Sequence, residues 1–375
     1  MLVAGFGGGA TVEGVPPSVK SIDVVELEPE VIEANRSVSD ERQIDPLTDP
    51  RVSVYINDVR SALELTTKKF DAIVSQPSHP WTAGSSHLYT REFMKLANSR
   101  LRDDGVYLQW MNVKFVDEGL LKALCATMLD VFDYVRVYRW DPQILFFLGS
   151  AEPLPIEVEM AKTEDPLRSN KTYYREQGIG SVEDVIAALA MDQENLVAFA
   201  TGGRIITDDF NLMATQSSAV MDRGTGLTTD RLSALLEPFD PLIDMDSWLH
   251  SDFPAELEFT YISRQLEGMH QKRRAIALAD TLLDLGNPEG LVMIALGQLR
   301  QNERQEAQRN LLRAINADPT DQQARYALLR PWLPSIMRGE QLPQQLRTEL
   351  ATISGAAAHT LRAWGGCPGK LGRVR

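Results

Sequence analysis

The chain has 375 residues, 43% of them apolar and 24% charged, enough to build hydrophobic cores in more than one domain. Its formal net charge is −14; a surface of that sign repels phosphate backbones and attracts small cations, so nucleic acid is excluded as an expected partner. The two cysteines, Cys125 and Cys367, supply neither a disulfide framework nor a zinc spacing, and no apolar run approaches the ~20 residues of a membrane span.

Residues 1–150 alternate short apolar runs with helix-length segments. Strands are expected at Leu2–Phe6, Ile22–Glu26, Val52–Ile56, Ala72–Ser75, Val106–Gln109, Tyr134–Tyr138 and Ile144–Leu148. Amphipathic stretches such as Glu30–Ser37 and Arg91–Arg102 lie between them. Strands spaced by helix-length segments form a parallel sheet covered by helices. Only a short turn around Trp140-Asp141-Pro142 separates the last two strands, which is too little for a crossover, so they form an antiparallel hairpin. The expected fold class is α/β: a doubly wound, mostly parallel Rossmann-like sheet of methyltransferase type with an antiparallel edge hairpin, followed by an α-helical repeat-like domain. The sequence opens directly on the first strand, which leads us to expect that native sequence upstream is missing. With no basic region or apolar signal core at its start, the expected location is the cytoplasm.

Residues 151–250 form a mixed extension punctuated by Pro153, Pro155 and Pro166. A helix is expected over Ser181–Met191, with Ser181 as N-cap beside a capping-box acid. Further on, Thr207-Asp208-Asp209 follows an apolar pair. Residues 251–335 read as helical throughout. Leu291, Ile294 and Ala295 fall in one helix, Ala307, Leu311 and Ala314 in the next, and Asp318-Pro319 closes the unit. A looser copy ends at Asn287-Pro288, with its proline 31 positions before Pro319, near the ~34-residue period of tetratricopeptide repeats. Such a region offers a surface to a protein partner. Residues 336–375 are expected to be a partly disordered tail, small-residue-rich and basic from Gly355 onward.

The first candidate motif is Gly5-Phe6-Gly7-Gly8-Gly9-Ala10, between a strand and a helix. Glycines there allow a tight turn and close approach of a ligand, so Gly5, Gly7 and Gly9 are candidate cofactor-binding residues. A plain strand–helix turn needs the same glycines, and the pattern also fits a dinucleotide. Glu26 ends the second strand 21 residues after Gly5, where an acid holds ribose hydroxyls; a solvated strand end is the alternative. Asp58 ends the third strand and suits an adenine amino group, a helix N-cap, or both. The fourth strand runs into a proline-rich loop, Gln76-Pro77-Ser78-His79-Pro80-Trp81, placed to cap the crevice beside a nucleoside. His87 and Tyr89 lie on its far side. Asp208-Asp209 is an acidic pair that suits either a cation or a solvated turn or helix cap.

The ordered series Asp23-Val24-Val25-Glu26-Leu27-Glu28-Pro29, Asp49-Pro50-Arg51-Val52, Asn57-Asp58, Phe70-Asp71-Ala72-Ile73-Val74, Leu88-Tyr89-Thr90-Arg91-Glu92-Phe93 and Asp104-Gly105-Val106 resembles the spermidine synthase family, in its divergent bacterial branch. The resemblance implies decarboxylated S-adenosylmethionine as cofactor and aminopropyl transfer to a small amine, putrescine. By the same resemblance, Gly5, Gly7 and Gly9 line the cofactor loop, Glu26 holds the ribose and Asp58 contacts adenine. The family's loop after the fourth strand reads Asp-Ser-Ser-Asp-Pro, and its first aspartate helps take the proton from the attacking amine. Here Gln76 and His79 stand at the two aspartate positions. An amide is no base, whereas a histidine, with a reference pKa of about 6.5, is one; packing against Trp81 is an equal alternative for His79. The family's N-terminal β-rich segment has no counterpart in this sequence. Other readings stay open: a methyltransferase using intact S-adenosylmethionine, a non-catalytic nucleotide-binding protein with an interaction tail, and, more distantly, an NAD oxidoreductase.

Overall fold

The computed structural model describes residues 1–154 except 43, 78 and 83, then residue 156 and residues 179–243, 259–269, 271–338 and 340–352. It divides into two compact units, one of Met1–Leu257 with Gly268–Gln271 and the other of Glu258–Glu267 with Lys272–Arg375.

The first unit is built on β1 (Leu2–Ala4), β2 (Ile22–Glu26), β3 (Val52–Ile56), β4 (Phe70–Ser75), β5 (Leu101–Asn112), β6 (Tyr134–Tyr138), β7 (Ile144–Ser150) and β8 (Leu189–Met191). They form one sheet in the order β3-β2-β1-β4-β5-β7-β6-β8. β1 pairs in parallel with β2 on one side and β4 on the other. The chain thus steps outward from β1 to β3 and then returns across β1 to β4. That reversal opens a crevice at the carboxyl ends of the strands. The expected hairpin is present, β6 and β7 pairing antiparallel from Tyr134↔Ser150 to Tyr138↔Phe146.

β8 corrects the expected Ser181–Met191 helix. That helix stops at Ala188, and Leu189–Met191 pairs antiparallel with β6 through Val137↔Met191. β6 would otherwise leave an open row of backbone donors and acceptors. The run Leu189-Ala190-Met191, buried at all three positions, satisfies that edge, and tertiary pairing overrides its helix propensity.

Helices cover both faces: α1 (Ala10–Glu13), α2 (Pro29–Ser37), α3 (Val59–Leu65), α4 (Arg91–Ser99), α5 (Glu118–Val131), α6 (Val182–Ala188), α7 (Gln193–Phe199), α8 (Leu212–Arg223) and α9 (Thr229–Leu236). Their starts follow local chemistry. Pro29 occupies the first turn of α2, where a missing N–H costs nothing. Asp58 caps α3, accepting from the Ser61 N–H at 2.9 Å, and Asp117 caps α5 through the Leu120 N–H at 2.9 Å. α4 ends three residues before the expected Arg102 because Leu101 already begins β5.

Strand alternation sorts the core into two layers. Leu2, Ala4 and Val25 face a cluster with Leu63, Phe93 and Met94; Val3, Ile22 and Val24 face the other with Phe6, Val12 and Ile32. Each large side chain so buried contributes about 1.5–3 kcal/mol. Leu196, Phe199, Met213 and Leu232 join the first cluster, so the segment after β7 completes the core of this unit.

The second unit is helical among its described residues: α10 (Phe259–Gly268), α11 (Lys272–Asp284), α12 (Glu289–Arg300), α13 (Arg304–Ala317), α14 (Gln322–Leu329), α15 (Leu333–Arg338) and α16 (Gln344–Thr352). Ala295 of α12 and Ala307, Leu311 and Ala314 of α13 are buried together. Leu291, Ile294 and Ala295 all lie in α12, as expected; its buried positions also include Val292 and Met293, while Leu291 and Ile294 are half-buried. At Gly290 a Cβ would lie 2.7 Å from the Ala279 carbonyl, so the absence of a side chain sets how closely α11 and α12 approach. The expected disordered tail from Gly355 lies outside the described residues, as do Pro155 and Pro166. Among the described residues, no helix is long and apolar enough to cross a membrane.

Candidate functional site

A cleft of ≈ 590 Å³ opens at the carboxyl ends of β1, β2 and β4. Its floor is the loop after β1. Gly5, Gly7 and Gly9 have φ values of 87°, 54° and 82°, a region open to glycine and costly for other residues. Beyond Gly5 and Gly7 a Cβ would meet nothing within 4 Å, whereas at Gly9 it would meet Pro46 Cγ at 2.9 Å. Gly5, Gly7 and Gly8 line the cleft; Gly9 instead lets α1 pack against Pro46. The loop is held from behind. Gly5 donates to the Val25 carbonyl at 2.8 Å, Asn35 Nδ2 donates to the Gly7 carbonyl at 2.8 Å, and Arg42 Nη2 to the Gly8 carbonyl at 2.7 Å.

Glu26 is buried at the end of β2 and lines the cleft. Its Oε2 accepts from the Phe6 N–H at 2.8 Å and its Oε1 from the Glu28 N–H at 3.0 Å. It therefore pins the glycine loop to the strand end. A carboxylate offers about four acceptor sites, so each oxygen keeps capacity for a hydroxyl in the cleft. Asp58 also lines the cleft while its Oδ1 caps α3.

Gln76 leaves the end of β4 and lines the same cleft. Its Oε1 accepts from Thr11 Oγ1 at 2.7 Å, and its Nε2 donates to the Gly5 carbonyl at 3.2 Å. Both ends of the amide are engaged, so Gln76 straps β4 to the glycine loop. A carboxylate at this position could accept from Thr11 but could not donate to Gly5. His79 is exposed and is not among the described lining residues. Its ring centroid lies 5.2 Å from Trp81 and 5.6 Å from Phe115. Tyr89 is fully buried, and its hydroxyl donates to the Pro77 carbonyl at 3.4 Å; burial pushes its phenol well above the ordinary value.

The acidic pair after α7 is divided in role. Asp209 is exposed. Asp208 accepts from Arg60 Nη1 at 2.9 Å and from Thr90 Oγ1 at 2.7 Å, with His87 Nδ1 at 3.7 Å. The Arg60 guanidinium, helped by Thr90, holds the Asp208 carboxyl down at about 2 against its partial burial. The cation that Asp208 meets is thus an internal one.

Sequence reasoning passed over Thr11, Asn35, Arg42, Arg60 and Trp110. Trp110 lines the cleft, and the others tie its parts together. Their bonds span 28 residues for Asn35 to Gly7 and 148 for Arg60 to Asp208, separations at which no local periodicity operates.

This open sheet, with a cleft at its strand reversal, defines a Rossmann-like domain of methyltransferase type. Residues 1–140 match the spermine/spermidine synthase domain. A polyamine aminopropyltransferase of Methanocaldococcus jannaschii is 27% identical over 188 residues, covering 48% of this chain and 64% of the relative. Polyamine aminopropyltransferase 2 of Pseudomonas aeruginosa is 32% identical over 143 residues, covering 37% of this chain and 41% of the relative. Among solved structures, a spermidine synthase from Thermotoga maritima is 24% identical, covering 47% of this chain and 67% of that one, with a TM-score of 0.38. The N-terminal part of the chain is thus similar to spermine/spermidine synthase domains. The chain spans less than two thirds of the length of these curated relatives.

Proposed function

We propose that the first unit binds an adenosyl thioether or sulfonium, S-adenosylmethionine or its decarboxylated form, and is an aminopropyltransferase-like enzyme acting on a small amine. One observation carries this: open glycine backbone, the Glu26 carboxylate and Asp58 line a single cleft of ≈ 590 Å³. That volume suits a nucleoside-sized ligand. The residues fit the group, because Gly5 and Gly7 face space that a side chain would fill and Glu26 retains acceptor capacity for ribose hydroxyls. When bound, the sulfonium form supplies a carbon open to attack by an amine. The chain's own part is to hold the adenosyl end, to orient the amine and to find a place for its proton. Gln76 cannot take that proton. A methyltransferase using intact S-adenosylmethionine is the second reading, favoured by the same residue: without a carboxylate at the end of β4, one element of diamine recognition is gone.

Calorimetric titration with S-adenosylmethionine, its decarboxylated form, methylthioadenosine and NAD tests the proposal. Methylthioadenosine and at least one sulfonium are expected to bind, and NAD is not. NAD binding in preference to all three would overturn it, and the preferred sulfonium separates the two transferase readings.

For the second unit we infer a tetratricopeptide-like interaction module with a protein partner. Two repeat-like pairs are fewer than the three or so that make such arrays stable alone. Residues 251–375, expressed separately, are therefore expected to show no cooperative thermal transition by circular dichroism. A sharp transition would contradict this.

A further inference from the structure

Two walls of the cleft come from distant parts of the chain. One is the start of α3, where Asp58 and Val59 line the cleft and Arg60 follows. The other is the turn leading into α4, where Thr82, Gly84, Ser85 and Leu88 line it. That turn ends at Thr90, which is buried and caps α4. We propose that Asp208, which lies outside the cleft, is a positioning residue that clamps these two walls together. The proposal rests on the cleft being the adenosyl site put forward above.

The geometry is that of a clamp. Both Arg60 terminal nitrogens meet the two Asp208 oxygens, Nη1 at 2.9 Å from Oδ1. The same Oδ1 takes the Thr90 hydroxyl at 2.7 Å. One carboxylate therefore reaches the residue after Asp58–Val59 and the residue that closes the opposite turn. Its backbone is itself anchored. The Asp208 N–H donates to Glu92 Oε2 at 2.9 Å. Ile206 is fully buried, its N–H donating to Thr127 Oγ1 at 2.9 Å and its carbonyl accepting from the Arg91 N–H at 2.8 Å. Asp208 is thus presented from α4 and α5 rather than carried on a free loop. An isolated surface ion pair is worth little. A two-pronged guanidinium–carboxylate pair fixes relative geometry as well as charge, and a cleft whose walls are held before binding spends less of its binding free energy on ordering them.

Methylthioadenosine titrated calorimetrically into the full chain tests the clamp, using wild type, Asp208→Asn, Asp58→Asn and the double variant. Asp208→Asn keeps the size and one acceptor but loses the charge. It is expected to weaken binding by about tenfold, in line with a lost charge-assisted contact. In the double variant, the loss should be clearly smaller than the product of the single losses, because Asp208 acts through the segment that presents Asp58. A role in fold stability alone would lower the melting temperature and let the binding losses multiply independently. Arg60→Lys keeps the charge and removes the fork; it is expected to lose about threefold or more and serves as the test if Asp208→Asn does not fold. Wild-type affinity in both Asp208→Asn and Arg60→Lys, or independent multiplication in the double variant, overturns the clamp. Failure of the wild-type chain to bind methylthioadenosine would instead sink the adenosyl reading, and the clamp with it.

Discussion

Glu26→Ala is expected to weaken methylthioadenosine binding by about 10- to 100-fold. Hydrogen bonds to a charged group contribute roughly 1.5–3 kcal/mol each, and 1.4 kcal/mol is a factor of ten in affinity. Two effects combine at this residue. The variant loses the carboxylate proposed to hold the ribose hydroxyls. It also releases the Phe6 N–H, which Glu26 accepts at 2.8 Å, and with it the anchorage of the loop that forms the cleft floor. Glu26→Gln separates the two in part, because a carboxamide keeps one acceptor oxygen but turns a donor toward the other backbone N–H. Titration and thermal melting of wild type and both variants decide the matter. Unchanged affinity with a lower melting temperature would make Glu26 a structural pin alone. Losses in both show that it holds loop and ligand together.

The sheet was legible because its signals are local. β1 to β7 are short apolar runs at helix-length spacing, and the five-residue gap that includes Trp140-Asp141-Pro142 leaves only a hairpin as the connection. β8 was not legible. Leu189-Ala190-Met191 has nothing strand-like about it except the open edge of β6, which exists only once the sheet has formed. The phase of α12 was not legible for a similar reason: Leu291, Val292, Met293 and Ile294 are all apolar, and which of them is buried depends on where α11 and α13 lie. At the cleft, the identities of Glu26, Asp58 and Gln76 could be read from strand ends, and the structure brings all three to one surface. What they bond to could not be read. The strap from Gln76 to Gly5 spans 71 residues, and the buttresses from Asn35 and Arg42 fall on a helix and a loop with no motif of their own. His79 was ambiguous between base and packing residue; its ring lies against Trp81 and Phe115.

At the loop after β4 the expected result is a gain of activity. Gln76→Asp combined with His79→Asp is expected to raise aminopropyl transfer to putrescine by at least ~10²-fold, since general-base catalysis is typically worth 10²–10⁴-fold. Gln76 lines the cleft and His79 is not among its described lining residues, so Gln76→Asp alone should supply most of the gain. The structure adds a cost. Asp at this position can still accept from Thr11 but cannot donate to the Gly5 carbonyl as Gln76 Nε2 does at 3.2 Å. The glycine loop loses its strap to β4, so KM for decarboxylated S-adenosylmethionine should rise while kcat rises. This split distinguishes a restored base from a general tightening of the site, which would lower KM. Steady-state kinetics on both substrates measures it. An inactive double variant that still binds methylthioadenosine would place the defect outside this loop. A wild-type chain already as fast as the double variant would mean that another base is at work. His79 is then the first candidate, and it would reveal itself by activity that His79→Ala abolishes while binding of methylthioadenosine persists.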